Sequence, residues 1–202
     1  MQLKKIKISE KFQELARAFG NKPIPIGEFV DSFGISGHAV FILILCIPFV
    51  TPVPIPGLST LFGILIAIAG VRISFGLPPW VPQRWRKKEI PITVSKQIFS
   101  TGTKIMSKVE LLTKPRLRFF SMHPALLHFN GFIIVMMAIV LALPLPPGTN
   151  FPPALAIVLM ALGNLEEDGL IILLGYVVFC LNLLAIALIS IYGLEGFLKL
   201  IS

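Results

Sequence analysis

The stretch Phe41-Ile-Leu-Ile-Leu-Cys-Ile47-Pro48-Phe-Val-Thr51-Pro-Val-Pro-Ile-Pro-Gly57-Leu-Ser-Thr60 decides the fold. It opens on an apolar run, helical in character, that is expected to stop at Pro48. That is only about a dozen residues, whereas a full membrane crossing needs around 20. Pro52, Pro54 and Pro56 then exclude a helix interior, because each removes a backbone donor that a helix requires. After Gly57 helix resumes at Leu58-Ser59-Thr60 and is expected to run to Arg72. Two abbreviated helices are thus joined by a stiff Pro-rich break.

The same design recurs downstream. Phe132–Leu143 is apolar, Pro144, Pro146 and Pro147 break it within 144–150, and Pro152-Pro153-Ala154 opens another helix that ends at Gly163. A shift of 93 residues sets Gly70 on Gly163 and Gly63 on Ala156, and overlays the two breaks with a small gap. The pattern predicts an internal, inverted repeat. Pro-interrupted apolar segments at matching positions in two halves point to a transporter-type site.

Composition sets the class. Apolar residues make up 55% of the 202 and charged residues 14%, against about 45–50% and 25% in an average soluble domain. Charge is also segregated: six of the 18 Lys and Arg precede Gly34, eleven lie between Arg72 and Arg118, and Lys199 stands alone. Between them run apolar tracts at 39–50, 58–71, 132–145, 154–165 and 170–194. The chain therefore reads as an all-α integral membrane protein. The net charge of +8 is better placed against anionic lipid headgroups than nucleic acid, since no nucleic-acid motif is present. Cys46 and Cys180 lie singly in apolar tracts and read as small buried hydrophobes. The basic start lacks the apolar core of a signal peptide.

Four segments follow. Residues 1–33 form an amphipathic cytoplasmic or interfacial arm: a helix over 8–20 with Ser9 as N-cap and Phe12, Leu15 and Phe19 on one face, then a short element over 26–33. Residues 34–77 are the first membrane repeat. Residues 78–128 are a basic interfacial connector, with Val94, Ile98, Ile105, Val109 and Leu112 on one stripe of a surface helix and Lys96, Lys104 and Lys108 on its other face. Trp80 and Trp85 suit the headgroup zone. Residues 129–198 are the second repeat followed by a C-terminal transmembrane helix. The basic excess puts the N-terminus and the 78–128 segment on the cytoplasmic side. The first repeat then leaves and returns on one side, as two thin spans or as a re-entrant pair whose backbone must be shielded from lipid.

Ser59 and Thr60 begin a helix, and their ordinary role is to cap its free amides. The sharper expectation is that this helix end and its counterpart at Thr149 and Asn150 converge on an anion, using the positive ends of two dipoles. Arg72 and the acidic run Glu166-Glu167-Asp168 occupy matching helix ends and are expected either to be solvated or to pair across the repeat interface. His38 is a candidate for proton coupling, but its ordinary reading, with His123 and His128, is structural or interfacial. No metal-ligand spacing, cofactor motif, phosphate loop or catalytic triad is seen.

Several pieces in order resemble the ExoD family of bacterial membrane proteins linked to exopolysaccharide synthesis. They are Gly37-His38, Pro54-Ile-Pro-Gly-Leu-Ser59 with Phe62-Gly63, Pro79-Trp80-Val-Pro82, Lys114-Pro-Arg-Leu117, Pro144-Leu-Pro146 to Asn150-Phe-Pro152-Pro-Ala154, and Gly163 to Glu167-Asp168-Gly169. The chain departs from that pattern at Arg72, where a Gln is more usual. The resemblance implies a bacterial cytoplasmic (inner) membrane location and a role in exopolysaccharide production, and it carries over no catalytic residue. Three functions follow. The first is a non-enzymatic, flippase-like permease for an anionic substrate, for example a lipid-linked phosphate. The second is an accessory or scaffold of polysaccharide-assembly machinery. The third, a membrane-embedded enzyme, lacks a coherent nucleophile. A homodimer is one way to enclose a cavity that so few short helices cannot close.

Overall fold

The computed structural model describes residues 7–19, 21–50, 58–143 and 149–201, with side chains described as far as Tyr192 except for Ile35 and Leu112. The breaks expected at Pro52, Pro54, Pro56 and Gly57 and at Pro144, Pro146 and Pro147 lie outside the described residues. Those residues form ten α-helices and one two-stranded ribbon.

The arm and the connector make one layer. Helix α1 (Ile8–Phe19) packs against α6 (Ile92–Leu112). The two run antiparallel, because Ser9 meets Glu110 at one end while Phe12 lies against Gly102 further along. Strands β1 (Ile24–Pro25) and β2 (Glu89–Ile90) pair antiparallel and tie arm to connector a second time. Helices α2 (Ile26–Asp31) and α5 (Gln83–Arg86) are joined by an Asp31–Arg86 ion pair. The layer closes on an aromatic core in which the Phe12 and Phe33 rings are 4.9 Å apart, Phe29 and Phe33 5.3 Å, and Phe29 and Phe99 6.1 Å.

Two expectations change here. Ser9 is not a free cap: its backbone N–H and hydroxyl donate to the two Glu110 carboxylate oxygens at 2.8 and 2.6 Å. On α6 the most buried residues are Ser95, Phe99 and Met106, a stripe rotated from the predicted one, so that Ile98 and Val109 pack at its edge while Val94 and Ile105 stay exposed. Aromatic Phe99 finds a ring partner, Phe29, on α2 that a one-helix wheel cannot anticipate.

The second layer is an apolar bundle of α3 (Gly37–Val50), α4 (Leu58–Ser74), α8 (Pro124–Ala142), α9 (Phe151–Glu166) and α10 (Gly169–Ile201). The four-residue α7 (Phe119–Met122) leads into it. Helix α3 runs through Pro48 rather than stopping there. Pro48 stands in the last turn, where its fixed φ suits a helix and its missing N–H costs one ladder bond. Helix α8 starts eight residues before the predicted apolar run, with Pro124 in the first turn, where its missing N–H costs nothing. Helix α9 passes Gly163 and ends three residues later, at Glu166, with Glu167 in the left-handed region at φ 56°.

Packing in the bundle is crosswise: α3 lies mainly against α9, and α4 mainly against α8. Helices α4 and α8 run antiparallel in close backbone contact. Thr60 donates to the Ala142 carbonyl at 2.9 Å at one end, and Ser74 donates to the His128 carbonyl at 3.2 Å at the other. Between these ends a Cβ added to Gly131 would lie 2.7 Å from the Gly70 carbonyl and would collide with the Ser74 hydroxyl. Only small residues let two helix backbones meet so closely.

Segments Pro124–Ala142 and Gly169–Tyr192 are long and apolar enough to cross a membrane. The other three helices have 14, 17 and 16 residues. At 1.5 Å per residue they reach about 21–26 Å, short of a hydrocarbon core of roughly 30 Å. Most of α10 is exposed despite being apolar, including Leu174, Leu181, Ile189 and the thiol-bearing Cys180. Cys46 is buried as expected.

Candidate functional site

The acidic turn between α9 and α10 is clamped onto the Lys114–Arg118 segment. Asp168, only 2% exposed, accepts the Lys114 N–H on one carboxylate oxygen and the Leu170 N–H on the other, both at 3.0 Å. Gly169 N–H donates to the Arg116 carbonyl at 2.7 Å, and a Cβ on Gly169 would sit 2.5 Å from the Leu117 carbonyl. Leu117 itself adopts φ 48°, and Arg118 pairs with Glu167. The Asp168 carboxylate thus serves the turn, ordering backbone amides that would otherwise be orphaned.

Asp168 and Glu167 are therefore partnered within the clamp and not with Arg72. Arg72 Nε donates instead to the Pro78 carbonyl at 2.8 Å, and His38 Nε2 donates to the neighbouring Leu77 carbonyl, also at 2.8 Å. The turn they hold follows a helix end in which Gly76, at φ 60°, gives its N–H to Ile73 and Leu77 gives its N–H to Arg72. This paired closure satisfies the last carbonyls of α4. His38 is buried and acts as an anchor between α3 and this turn. His128 bonds the Pro124 carbonyl of its own helix, and the His123 ring lies 4.9 Å from that of Phe119 in a tilted contact. No group of three His, Cys, Asp or Glu side chains suited to a metal occurs among the described residues.

Ser59 is buried, and the Thr60 hydroxyl reaches across to α8 rather than capping its own helix. Asn150 precedes α9 in a helical conformation without a side-chain cap, and its Oδ1 is buried with no hydrogen-bond partner among the described residues. Thr149 is exposed in the adjoining turn, and Pro152 stands in the first turn of α9.

Sequence reasoning missed one cluster. Asn130, fully buried on α8, donates from Nδ2 to the Phe120 carbonyl and to Asn164 Oδ1, both at 2.9 Å. Its Oδ1 accepts the Tyr176 hydroxyl at 2.5 Å, and Asn164 Nδ2 donates to the Met160 carbonyl at 2.8 Å. Helices α7, α8, α9 and α10 are thereby locked around one amide. An isolated Asn in a 19-residue apolar helix was the available signal, because such a group is costly unless it finds partners.

The chain is an all-α protein in which apolar helices are closed by hydrogen-bonded turns, with a small aromatic-cored layer alongside. It belongs to the ExoD family, described as "Exopolysaccharide synthesis, ExoD", whose sequence profile matches residues 8–188. Protein ExoD of Rhizobium meliloti is 30% identical over 171 residues, covering 84% of this chain and 71% of that protein. An uncharacterized protein of Synechocystis sp. is 32% identical over 133 residues, covering 65% of this chain and 62% of that one. No solved structure matches. Two of the pieces carrying the early resemblance, Lys114–Leu117 and Glu167–Gly169, are the two sides of the Asp168 clamp.

Proposed function

We propose that the protein is a small, flippase-like permease of the bacterial cytoplasmic membrane, moving an anionic substrate of the lipid-phosphate type in exopolysaccharide production. The observation that carries this reading is the crosswise packing of α3 on α9 and α4 on α8. Three helices too short to cross, each packed on a helix of the other half, support a reading in which their Pro-flanked ends stop within the hydrocarbon layer. Backbone ends at that depth are tolerated only where protein or water shields them. The buried, unpartnered Asn150 oxygen fits a polar pocket at one such end.

An accessory role in a polysaccharide-assembly complex is the second reading. It is favoured by Thr60, whose hydroxyl is spent on the Ala142 carbonyl and so contributes to packing instead of a binding site.

Purified protein in vesicles separates the two. The permease reading expects faster inter-leaflet movement of a fluorescent lipid phosphate than in protein-free vesicles, with loss of that gain in the Ser59→Ala/Asn150→Ala double variant at unchanged thermal stability. Movement equal to the protein-free rate leaves the accessory role. Cysteines at Val53 and Leu145 test the geometry: slow labelling by a membrane-impermeant maleimide is expected, and free labelling of both from bulk water removes the embedded site.

A further inference from the structure

The face of α4 turned away from α8 carries a groove that the permease reading does not use. It is lined by Ile64, Ala67, Ile68 and Val71, ends at Arg72, and is walled by Leu77 and Trp80. Its volume is about 530 Å³, inside the roughly 300–1,000 Å³ typical of small-molecule sites. Apolar residues line it for most of its length, and the single charge stands at one end.

Arg72 takes part in none of the ion pairs seen among the described residues. The ion pairs there join Lys11 to Glu14, Arg86 to Asp31 and Arg118 to Glu167, and Asp168 is taken by backbone amides. Its Nε is fixed on the Pro78 carbonyl, which leaves the terminal guanidinium nitrogens for another acceptor. The wall beyond is held by the His38–Leu77 hydrogen bond, so the guanidinium, Leu77 and Trp80 sit on one braced turn. A cation and an exposed indole at the end of an apolar trough match a molecule with an anionic head and a long apolar tail.

We infer that this groove is a binding site for one anionic phospholipid, its phosphate on Arg72 beside Trp80 and its acyl chain along Ile64, Ile68 and Val71. The inference rests on the membrane placement proposed above but not on transport. Arg72 supplies the head-group selectivity. Ala67 leaves the space that the chain fills.

The test uses Trp80 fluorescence in a Trp85→Phe background, in phosphatidylcholine vesicles containing either brominated phosphatidylglycerol or brominated phosphatidylcholine. Half-quenching is expected at a mole fraction of phosphatidylglycerol about five-fold lower than of phosphatidylcholine, the factor appropriate to one cation at an anionic headgroup. Arg72→Gln should erase that preference, Arg72→Lys should keep part of it, and Ala67→Phe, which fills the trough, should weaken quenching by the anionic lipid. Circular dichroism identifies any variant that fails to fold, and Ala67→Phe keeps the test open if Arg72→Gln does. Equal quenching by both lipids, a preference that survives Arg72→Gln, or displacement by soluble glycerol phosphate as effective as by unlabelled phosphatidylglycerol overturns the site. Release of the chain from membranes by alkaline carbonate would instead overturn the membrane placement, so the two failures are told apart.

Discussion

At the scale of single residues, the positions that matter most are those where one atom more or less has no room or leaves a partner unsatisfied. Gly131 and Gly70 face each other across α4 and α8, but their surroundings differ. A Cβ on Gly131 meets the Gly70 carbonyl at 2.7 Å and the Ser74 side chain closer still, while one on Gly70 meets the methyl groups of Ile134 and Val135 at 3.0 Å and the Gly131 carbonyl at 3.2 Å. Gly131→Ala should therefore destabilise the fold by about 1–3 kcal/mol, the usual range for overpacking, and Gly70→Ala by less. Thermal unfolding in detergent checks the order. Asp168 makes the opposite case. Asp168→Ala orphans the Lys114 and Leu170 amides, at about 1–3 kcal/mol each for a buried donor, whereas Asp168→Asn keeps an acceptor for one of them and should lose roughly half as much. Comparing the two variants by denaturant unfolding decides it. The sequence flagged Asp168 only as part of an acidic run, either solvated or paired with Arg72; the Lys114 amide, 54 residues away, was invisible in one dimension.

At the scale of elements, periodicity located the helices better than it assigned their faces. The apolar runs and the Pro and Gly residues around them marked α3, α4, α8, α9 and α10, because burying or embedding an apolar helix needs a long apolar segment whatever its neighbours are. The face of α6 was read only in part: Ile98 and Val109 pack against the core as expected, Val94 and Ile105 are exposed, and the most buried stripe is the adjacent, comparably apolar Phe99 and Met106. Which stripe is buried was decided by α1, docked through Ser9 and Glu110. Glu110→Ala removes both acceptors of that contact and should loosen α1 alone. Amide hydrogen exchange over 8–19 is expected to rise at least about ten-fold, a loss near 1.4 kcal/mol in local opening, while α8 and α9 stay unchanged. A uniform rise across the chain would mean that the arm is integral to the bundle's stability.

For the whole molecule, the decisive feature is which helices pair. The crosswise arrangement predicts that Thr60→Cys with Ala142→Cys, in a background lacking Cys46 and Cys180, is bridged by a short bifunctional thiol crosslinker, because the Thr60 hydroxyl already contacts the Ala142 carbonyl. Mass spectrometry should find the linked peptides within a single chain; a crosslink found only between chains would reassign the contact to a dimer. By itself the sequence determined the material of this protein: apolar helices of limited length, proline-marked boundaries, a basic connector and ExoD family membership. Those follow from local backbone chemistry and from hydropathy, which act residue by residue. Tertiary structure alone decided that α4 meets α8 and α3 meets α9, that Asp168 serves a turn, that Asn130 joins four helices, and that Arg72 is left facing a groove. Each of these depends on groups far apart in the chain meeting at hydrogen-bonding or van der Waals distance, and a lone Asn or Arg carries no mark of the partner that folding will bring to it.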